Sequence, residues 1–130
     1  KDEDVLLAAY DDAAGVTAQF NLNLLTRINH ELDGDIPVDA FRHEARWNDT
    51  FARIEMHLIA RRGVTFTVSE QTFTMREGES IHTENSHKFT KRSGQMLLAA
   101  GSWEPRARWT DEGKQFSLVL AESCAARSAP

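Results

Sequence analysis

The sequence lacks several features that are typical of disulfide-bonded, membrane-spanning and nucleic-acid-binding proteins. Its single cysteine, Cys124, cannot form an internal disulfide, so a reducing compartment, the cytoplasm by default, is predicted. No apolar run approaches the ~20 residues that cross a bilayer, which predicts no membrane partner. The formal net charge is -5 and the basic residues fall in short clusters, which predicts no nucleic-acid partner.

The remaining composition is that of an ordinary folded domain. Hydrophobic residues make up 41% and charged residues 27% of the 130 residues, enough for one core with little room for a second. The chain begins abruptly, because Glu3 to Tyr10 already has helical spacing of apolar residues and no capping residue is evident before it. We therefore expect the chain to be part of a longer protein.

A second helix is predicted after Gly15, and it has the clearest periodicity in the chain. Its apolar residues fall four apart along one stripe, which we expect to be buried: Val16, Phe20, Leu24, Ile28 and Leu32. The run Asp33-Gly34-Asp35 ends this helix, and Pro37 prevents its continuation.

From Phe41 onwards the apolar period changes to two. Alternation from Arg53 to Leu58 predicts a half-buried strand, and turn residues before it predict an antiparallel partner over Phe41 to Trp47. Further strands are predicted over Val64 to Val68, Thr72 to Met75 and Ser80 to Ser86.

The last third of the chain predicts a helix over Lys91 to Ala100 and two strands, Trp103 to Thr110 and Gln115 to Ala121. A disordered tail is expected after them. The predicted fold class is therefore α+β: two amino-terminal helices, an antiparallel sheet, and a helix-strand-strand segment.

The segment from Ile81 to Lys88 collects polar and ionisable residues, and three interpretations remain open from composition. The first is a polar strand edge with no further role. The second is a metal site of His82, Glu84 and His87, with His57 as a further candidate, although period two places His82 and Glu84 on one face and His87 on the other.

The third interpretation is a small polar ligand held by Glu84 and Ser86. In a strand these two residues project the same way. A carboxylate and a hydroxyl so placed suit a planar ring with two nitrogens, such as imidazole.

Four segments lie in order and register over about Leu6 to Leu120: Ala9 to Asn21, Leu25 to Leu32, Arg53 to Leu58 and Gly78 to Phe89. Together they resemble the S-adenosylmethionine-dependent L-histidine Nα-methyltransferases, a family that makes hercynine for ergothioneine biosynthesis. The resemblance implies that residues 1–88 form a histidine-binding domain. It also implies that residues 89–121 are the last helix and two strands of a Rossmann-like methyltransferase sheet, and residues 122–130 a tail.

The same resemblance implies the site residues. Tyr10 matches the residue that binds the substrate carboxylate, and Glu84 with Ser86 matches the pair that holds the imidazole. Met56 matches a methionine beside the ring, whereas Thr17 and Phe20 match positions near the substrate's amino end. Structural roles are the alternative for four of them, as core residues (Tyr10, Phe20, Met56) or a helix cap (Thr17).

No catalytic, cofactor-binding or metal-binding residue is expected in this chain. The resemblance places the glycine-rich loop and the other S-adenosylmethionine contacts before Lys1, so the chain alone is predicted to be inactive. Methyl transfer to an amine is an in-line displacement, in which the protein contributes mainly by positioning the substrate. No metal is required for this reaction.

Two other functions remain as alternatives. One is a free-standing module of the same ancestry that binds a small ligand without catalysis, and the other is a cupin-like metalloprotein. A further expectation is self-association through the carboxyl-terminal hairpin, whose apolar residues lack a neighbour: Trp103, Trp109, Phe116, Leu118 and Leu120.

Overall fold

A computed structural model describes residues 2–124. The chain divides into two compact units, Lys1–Lys88 and Phe89–Pro130. Its described helices are α1 (Glu3–Tyr10), α2 (Val16–Glu31) and α3 (Lys91–Ala100). Its described strands are β1 (Phe41–Asn48), β2 (Arg53–Ala60), β3 (Val64–Val68), β4 (Gln71–Met75), β5 (Ser80–His87), β6 (Trp103–Thr110) and β7 (Ser117–Ser123). These elements confirm the α+β class.

The first unit is built on a three-stranded antiparallel sheet in the order β1-β2-β5, with β2 in the centre. Strands β3 and β4 come between β2 and β5 in the chain and form a separate hairpin. Apolar residues of α2, β1, β2 and β3 pack into one core, which includes Leu25, Phe41, Leu58, Ala60 and Phe66. Helix α2 therefore covers one face of the sheet.

The buried side of α2 differs from the predicted stripe. Leu25 is 1% exposed and Asn21 only 2%, whereas Phe20 is 71% exposed. Val16, Leu24 and Leu32 are exposed too. Positions four apart on a helix drift by about 40° per step, so a long stripe at that spacing cannot all face one core. The buried side of α2 includes the polar Asn21, so the pattern of apolar residues alone did not identify it.

Acidic side chains cap the amino ends of both amino-terminal helices. Asp12 accepts hydrogen bonds from the backbone N–H groups of Thr17 (2.9 Å) and Val16 (3.1 Å). The bonds from Thr17, chiefly its backbone N–H, lower the pKa of Asp12, as expected for an anion at a helix amino terminus. Asp2 caps α1 through Asp4, so the expectation that α1 lacks a capping residue was wrong.

A buried amide connects α2 to the sheet and to the end of α1. Asn21 Oδ1 accepts from Thr83 Oγ1 at 2.7 Å, and its Nδ2 donates to the His57 carbonyl at 3.2 Å. Nδ2 also lies 2.9 Å from His43 Nδ1, whose ring donates from Nε2 to the Tyr10 carbonyl at 2.7 Å. Every hydrogen-bonding atom of the Asn21 side chain is thereby satisfied, as burial demands.

The second unit contains α3 and the β6-β7 hairpin. A capping box between Thr90 and Ser93 begins the helix. Strand β7 runs to Ser123, two residues beyond its predicted end, so Glu122 and Ser123 do not belong to a tail. The rest of the predicted tail, residues 125–130, lies outside the described residues.

The apolar side chains of this second unit are largely exposed. They are Phe89, Met96, Leu97, Trp103, Trp109, Phe116, Leu118, Val119 and Leu120. Among residues 2–124, no helix is long and apolar enough to cross a membrane.

Replacing Asn21 by alanine should destabilise the first unit. The change removes a hydrogen-bond partner from the His57 carbonyl and from the Thr83 hydroxyl, which keeps the Met56 carbonyl. A buried group left unsatisfied costs about 1–3 kcal/mol. Denaturant titration should therefore show a free energy of unfolding lower by about 2 kcal/mol or more. Asn23→Ala, an exposed site on the same helix, is the control. Equal stability of the two variants would contradict the role given to Asn21.

Candidate functional site

A bulge in β5 determines which side chains face the helices. Met56 pairs with Glu84 and the next residue, His57, pairs with His82, so Thr83 is the extra residue. Neighbouring residues of a strand point to opposite faces. Glu84 therefore shares the face of Met56, whereas His82 shares the face of His57. The expectation that His82 and Glu84 lie on one face was wrong, because an alternating pattern does not reveal the bulge.

A cavity of about 250 Å3 lies in the first unit between the helices and the sheet. It is lined by Ala9, Tyr10, Val16, Thr17, Phe20, Met56 and Glu84. Five of the six candidate residues from the sequence therefore surround one space. Helix α1 contributes Tyr10 at its end, α2 contributes Thr17 and Phe20 in its first turns, and the sheet contributes Met56 and Glu84.

The sixth candidate, Ser86, contacts the cavity residue Tyr10. Their hydroxyl oxygens are 2.7 Å apart. The resemblance assigned these hydroxyls to opposite ends of the substrate, and here they bond to each other. Ser86 pairs with Ile54 across the sheet, two residues from Met56, and so faces the same side as Glu84.

Lys88 completes this group, and the sequence analysis missed it. Its Nζ lies 2.6 Å from Tyr10 Oη, 2.9 Å from Ser86 Oγ and 4.4 Å from the centre of the Tyr10 ring. The period of two from Glu84 through Ser86 reaches Lys88 at the next step. The signal was therefore present, although Lys88 stands in one of the short clusters of basic residues in the sequence.

The environment of Tyr10 combines opposing influences on its pKa. Partial burial raises the pKa of the phenol, while the hydrogen bonds from Lys88 and Ser86 lower it. The Lys88 charge lowers it further and the Glu84 charge raises it, with a net shift below the ordinary value of 10.0. A lowered pKa makes the phenol a better hydrogen-bond donor to an anion.

A second polar group lies on the opposite face of the sheet. Glu55 Oε1 accepts from His57 Nε2 at 3.0 Å, while Oε2 accepts from Asn48 at 2.9 Å and Arg53 at 2.8 Å. These bonds, that from His57 foremost, lower the pKa of Glu55 to about 2. The carboxylate is therefore anionic at neutral pH.

Ligand atoms of Glu55, His57 and His82 lie within 4.8 Å of one another, a set that differs from the one considered in the sequence. The two imidazole rings are stacked, with centroids 4.6 Å apart and planes at 19°. Rings stacked in this way hold their nitrogen lone pairs in separate planes, and Arg53 already bonds the carboxylate. The geometry is that of a hydrogen-bonded charge network. That the protein requires no metal stays a prediction.

His57 Nδ1 is buried and, within residues 2–124, has no hydrogen-bond partner. Nε2 of the same ring bonds to Glu55, so Nδ1 is the ring nitrogen that no described residue contacts.

Comparison with known proteins identifies the family. The profile of the family described as histidine-specific, S-adenosylmethionine-dependent methyltransferases matches residues 1–123. The histidine N-alpha-methyltransferase of Mycobacterium tuberculosis (strain CDC 1551 / Oshkosh) is 46% identical over 123 residues, which are 93% of this chain and 38% of that protein. The protein of the same name from Mycolicibacterium smegmatis is 42% identical over the same shares.

A more distant relative is an N-methyltransferase from Aspergillus flavus, 23% identical over 126 residues, which are 93% of this chain and 34% of that protein. The chain belongs to the family of histidine-specific, S-adenosylmethionine-dependent methyltransferases. It spans somewhat more than a third of the length of the curated relatives that it matches.

The Glu55 network should make stability depend on pH in acid. A carboxyl whose folded pKa is about 2, against an ordinary 4.5, stabilises the fold fully above pH 4.5 and loses this contribution as pH falls towards 2. Glu55→Gln should therefore lower the melting temperature at pH 7, and the difference from the parent should shrink in acid. Thermal unfolding followed by circular dichroism at several pH values measures this.

The control is Glu77→Gln, an exposed carboxylate in the turn before β5. It should follow the parent at every pH. A Glu55→Gln difference that stays constant from neutral pH to pH 2 would exclude the network as the source of the acid sensitivity.

Proposed function

We propose that this chain is the substrate-recognition part of a histidine Nα-methyltransferase, which transfers methyl groups from S-adenosylmethionine to L-histidine and yields hercynine for ergothioneine biosynthesis. The observation that carries this proposal is the cavity of the first unit. Tyr10, Thr17, Phe20, Met56 and Glu84, named beforehand from the family resemblance, line the same space.

Each lining residue has a proposed role that follows from its chemistry. Glu84 accepts an N–H of the imidazole, because its carboxylate lines the cavity and bonds to no partner within residues 2–124. Met56, 4% exposed, offers an apolar surface beside the ring. Thr17 and Phe20 lie at the start of α2 and border the amino end of the substrate.

Tyr10 binds the substrate carboxylate and Ser86 the imidazole in this proposal. Their hydroxyls, 2.7 Å apart, exchange their mutual hydrogen bond for bonds to the ligand. A hydroxyl both donates and accepts, so the exchange leaves no polar atom unsatisfied. The substrate is thereby held in place, which is the main contribution that a protein makes to an in-line displacement.

We propose that residues 1–88 are the histidine-binding domain, and that residues 89–121 complete a Rossmann-like methyltransferase domain formed mainly by chain outside this sequence. All strand pairs described here are antiparallel. Nucleotide sites of such folds lie where parallel strands meet helix amino termini. Among residues 2–124 no parallel strand pair offers such a site, which supports our placing the S-adenosylmethionine contacts outside this chain. A reducing cytoplasm suits the exposed thiol of Cys124.

Glu84→Ala should weaken histidine binding by the full-length enzyme that carries these residues. Loss of a hydrogen bond to a charged group is worth about 1.5–3 kcal/mol, so the dissociation constant should rise roughly tenfold to hundredfold. Calorimetric titration with L-histidine measures this, and S-adenosylmethionine affinity should stay the same. Glu77→Ala serves as the control. Undiminished histidine affinity in Glu84→Ala would show that the imidazole binds elsewhere.

The exposed apolar residues of the second unit lead to a further proposal, that the isolated 130-residue chain self-associates through its β6-β7 hairpin. A lone hairpin is marginal in water, and burying apolar surface yields about 25 cal/mol per Å2. Light scattering at micromolar concentration should therefore show a species larger than a monomer. The double variant Leu118→Ser with Leu120→Ser should shift it towards the monomer. A monomeric parent chain would refute this proposal.

A further inference from the structure

Lys88 has a position that surface lysines lack. It is half-buried, its backbone N–H donates to the Ala52 carbonyl at 2.8 Å, and its ammonium lies over the Tyr10 ring. Lys91 and Lys114 are exposed. A cation held by two hydroxyls and an aromatic face has given up much of its freedom and hydration. A specific role would account for such a placement.

The three polar atoms of the group form a closed triangle. Lys88 Nζ is 2.6 Å from Tyr10 Oη and 2.9 Å from Ser86 Oγ, and the two oxygens are 2.7 Å apart. An ammonium only donates, so it gives one N–H to each oxygen. One hydroxyl then donates to the other. The second hydroxyl proton has no acceptor within the triangle and points out of it.

The triangle therefore presents a positive charge and an outward O–H to its surroundings. Both features suit an anionic group, and a hydrogen bond from a donor beside a cation is stronger than one between neutral groups. The charges around Tyr10 are Lys88 and Glu84, with His43 bonded to its carbonyl and Asp11 and Asp12 next in the chain. Among these groups Lys88 is the cation that contacts the phenol.

We infer that Lys88 is a positioning residue that makes the site select an amino acid with a free carboxylate. It acts through Tyr10 and Ser86, whose protons it directs, and its charge favours a carboxylate at the Tyr10 hydroxyl. This inference rests on the proposed function, because it takes L-histidine as the ligand. It extends that proposal by predicting that the decarboxylated analogue, histamine, is a poorer ligand, because histamine lacks the carboxylate that the triangle would bind.

The test compares two ligands and three variants of the full-length enzyme that carries this sequence. L-histidine and histamine are titrated calorimetrically into the parent, Lys88→Met and Lys88→Arg, with Lys91→Met as the control. Lys88→Met should weaken histidine binding about tenfold or more and leave histamine within about twofold, since only histidine loses a charge-assisted bond. Lys88→Arg should recover most of the preference for histidine, and Lys91→Met should match the parent.

A second measurement reports the contact itself, without any ligand. Tyr10 is the only tyrosine of the 130-residue chain, so its ionisation can be followed by ultraviolet absorbance. Lys88→Met should raise the pKa of Tyr10 relative to the parent, because it removes a hydrogen bond and a positive charge. In the full-length enzyme the same variant should raise KM for histidine more than it lowers kcat, as expected for a ground-state contact.

The outcomes separate the inference from the function on which it rests. Equal weakening of histidine and histamine in Lys88→Met, or no weakening of either, would overturn the inference while histidine binding by the parent upholds the function. A parent enzyme that binds neither ligand would refute the proposed function. An unchanged Tyr10 titration in Lys88→Met would mean that the triangle does not exist in solution.

Discussion

The buried side chain of Asn21 is the constraint on which the first unit depends. Through one amide, α2 contacts the bulge at Thr83, the β2 carbonyl at His57 and, by way of His43, the end of α1 at Tyr10. Only a side chain with two donors and an acceptor can serve these partners at once. An apolar residue would remove one hydrogen-bond partner from each of these groups. The amide therefore specifies how helices and sheet are joined, beyond what hydrophobic packing against Leu25 alone would specify.

The bulge at Thr83 allows one strand to serve both the core and the site. Ile81 packs against the core, and without the bulge Thr83 and Asn85 would follow it onto the helix-facing side. The extra residue reverses the alternation, so Glu84 and Ser86 point towards Tyr10 instead. Thr83 itself uses its hydroxyl on Asn21 and on the Met56 carbonyl. The buried amide and the arrangement of the site are thus two consequences of one local feature.

Much of the fold was predictable, because turn residues and changes of period mark the elements directly. The helix over Lys91–Ala100 and the strand over Trp103–Thr110 match their predicted ranges. The side of α2 that is buried was not predictable, since its centre is the polar Asn21. The faces of the sheet on which His82 and Glu84 lie were not predictable either, because the alternation of residue types does not reveal a bulge. Lys88 was missed for a different reason: it stands in a short cluster of basic residues, although it also continues the period of two that runs through Glu84 and Ser86.

The two polar groups on the sheet differ in the hydrogen-bonding capacity that they retain. Around Glu55, three neighbouring side chains bond both carboxylate oxygens, so the group is satisfied within the protein. On the cavity side, the triangle of Tyr10, Ser86 and Lys88 retains an outward proton and a charge, and Glu84 retains its acceptors among the described residues. A network whose hydrogen-bonding groups are all satisfied stabilises the fold. A network with free hydrogen-bonding groups beside a cavity can bind a ligand. These free hydrogen-bonding groups lie on the face that the helices cover, which is where we propose that the substrate binds.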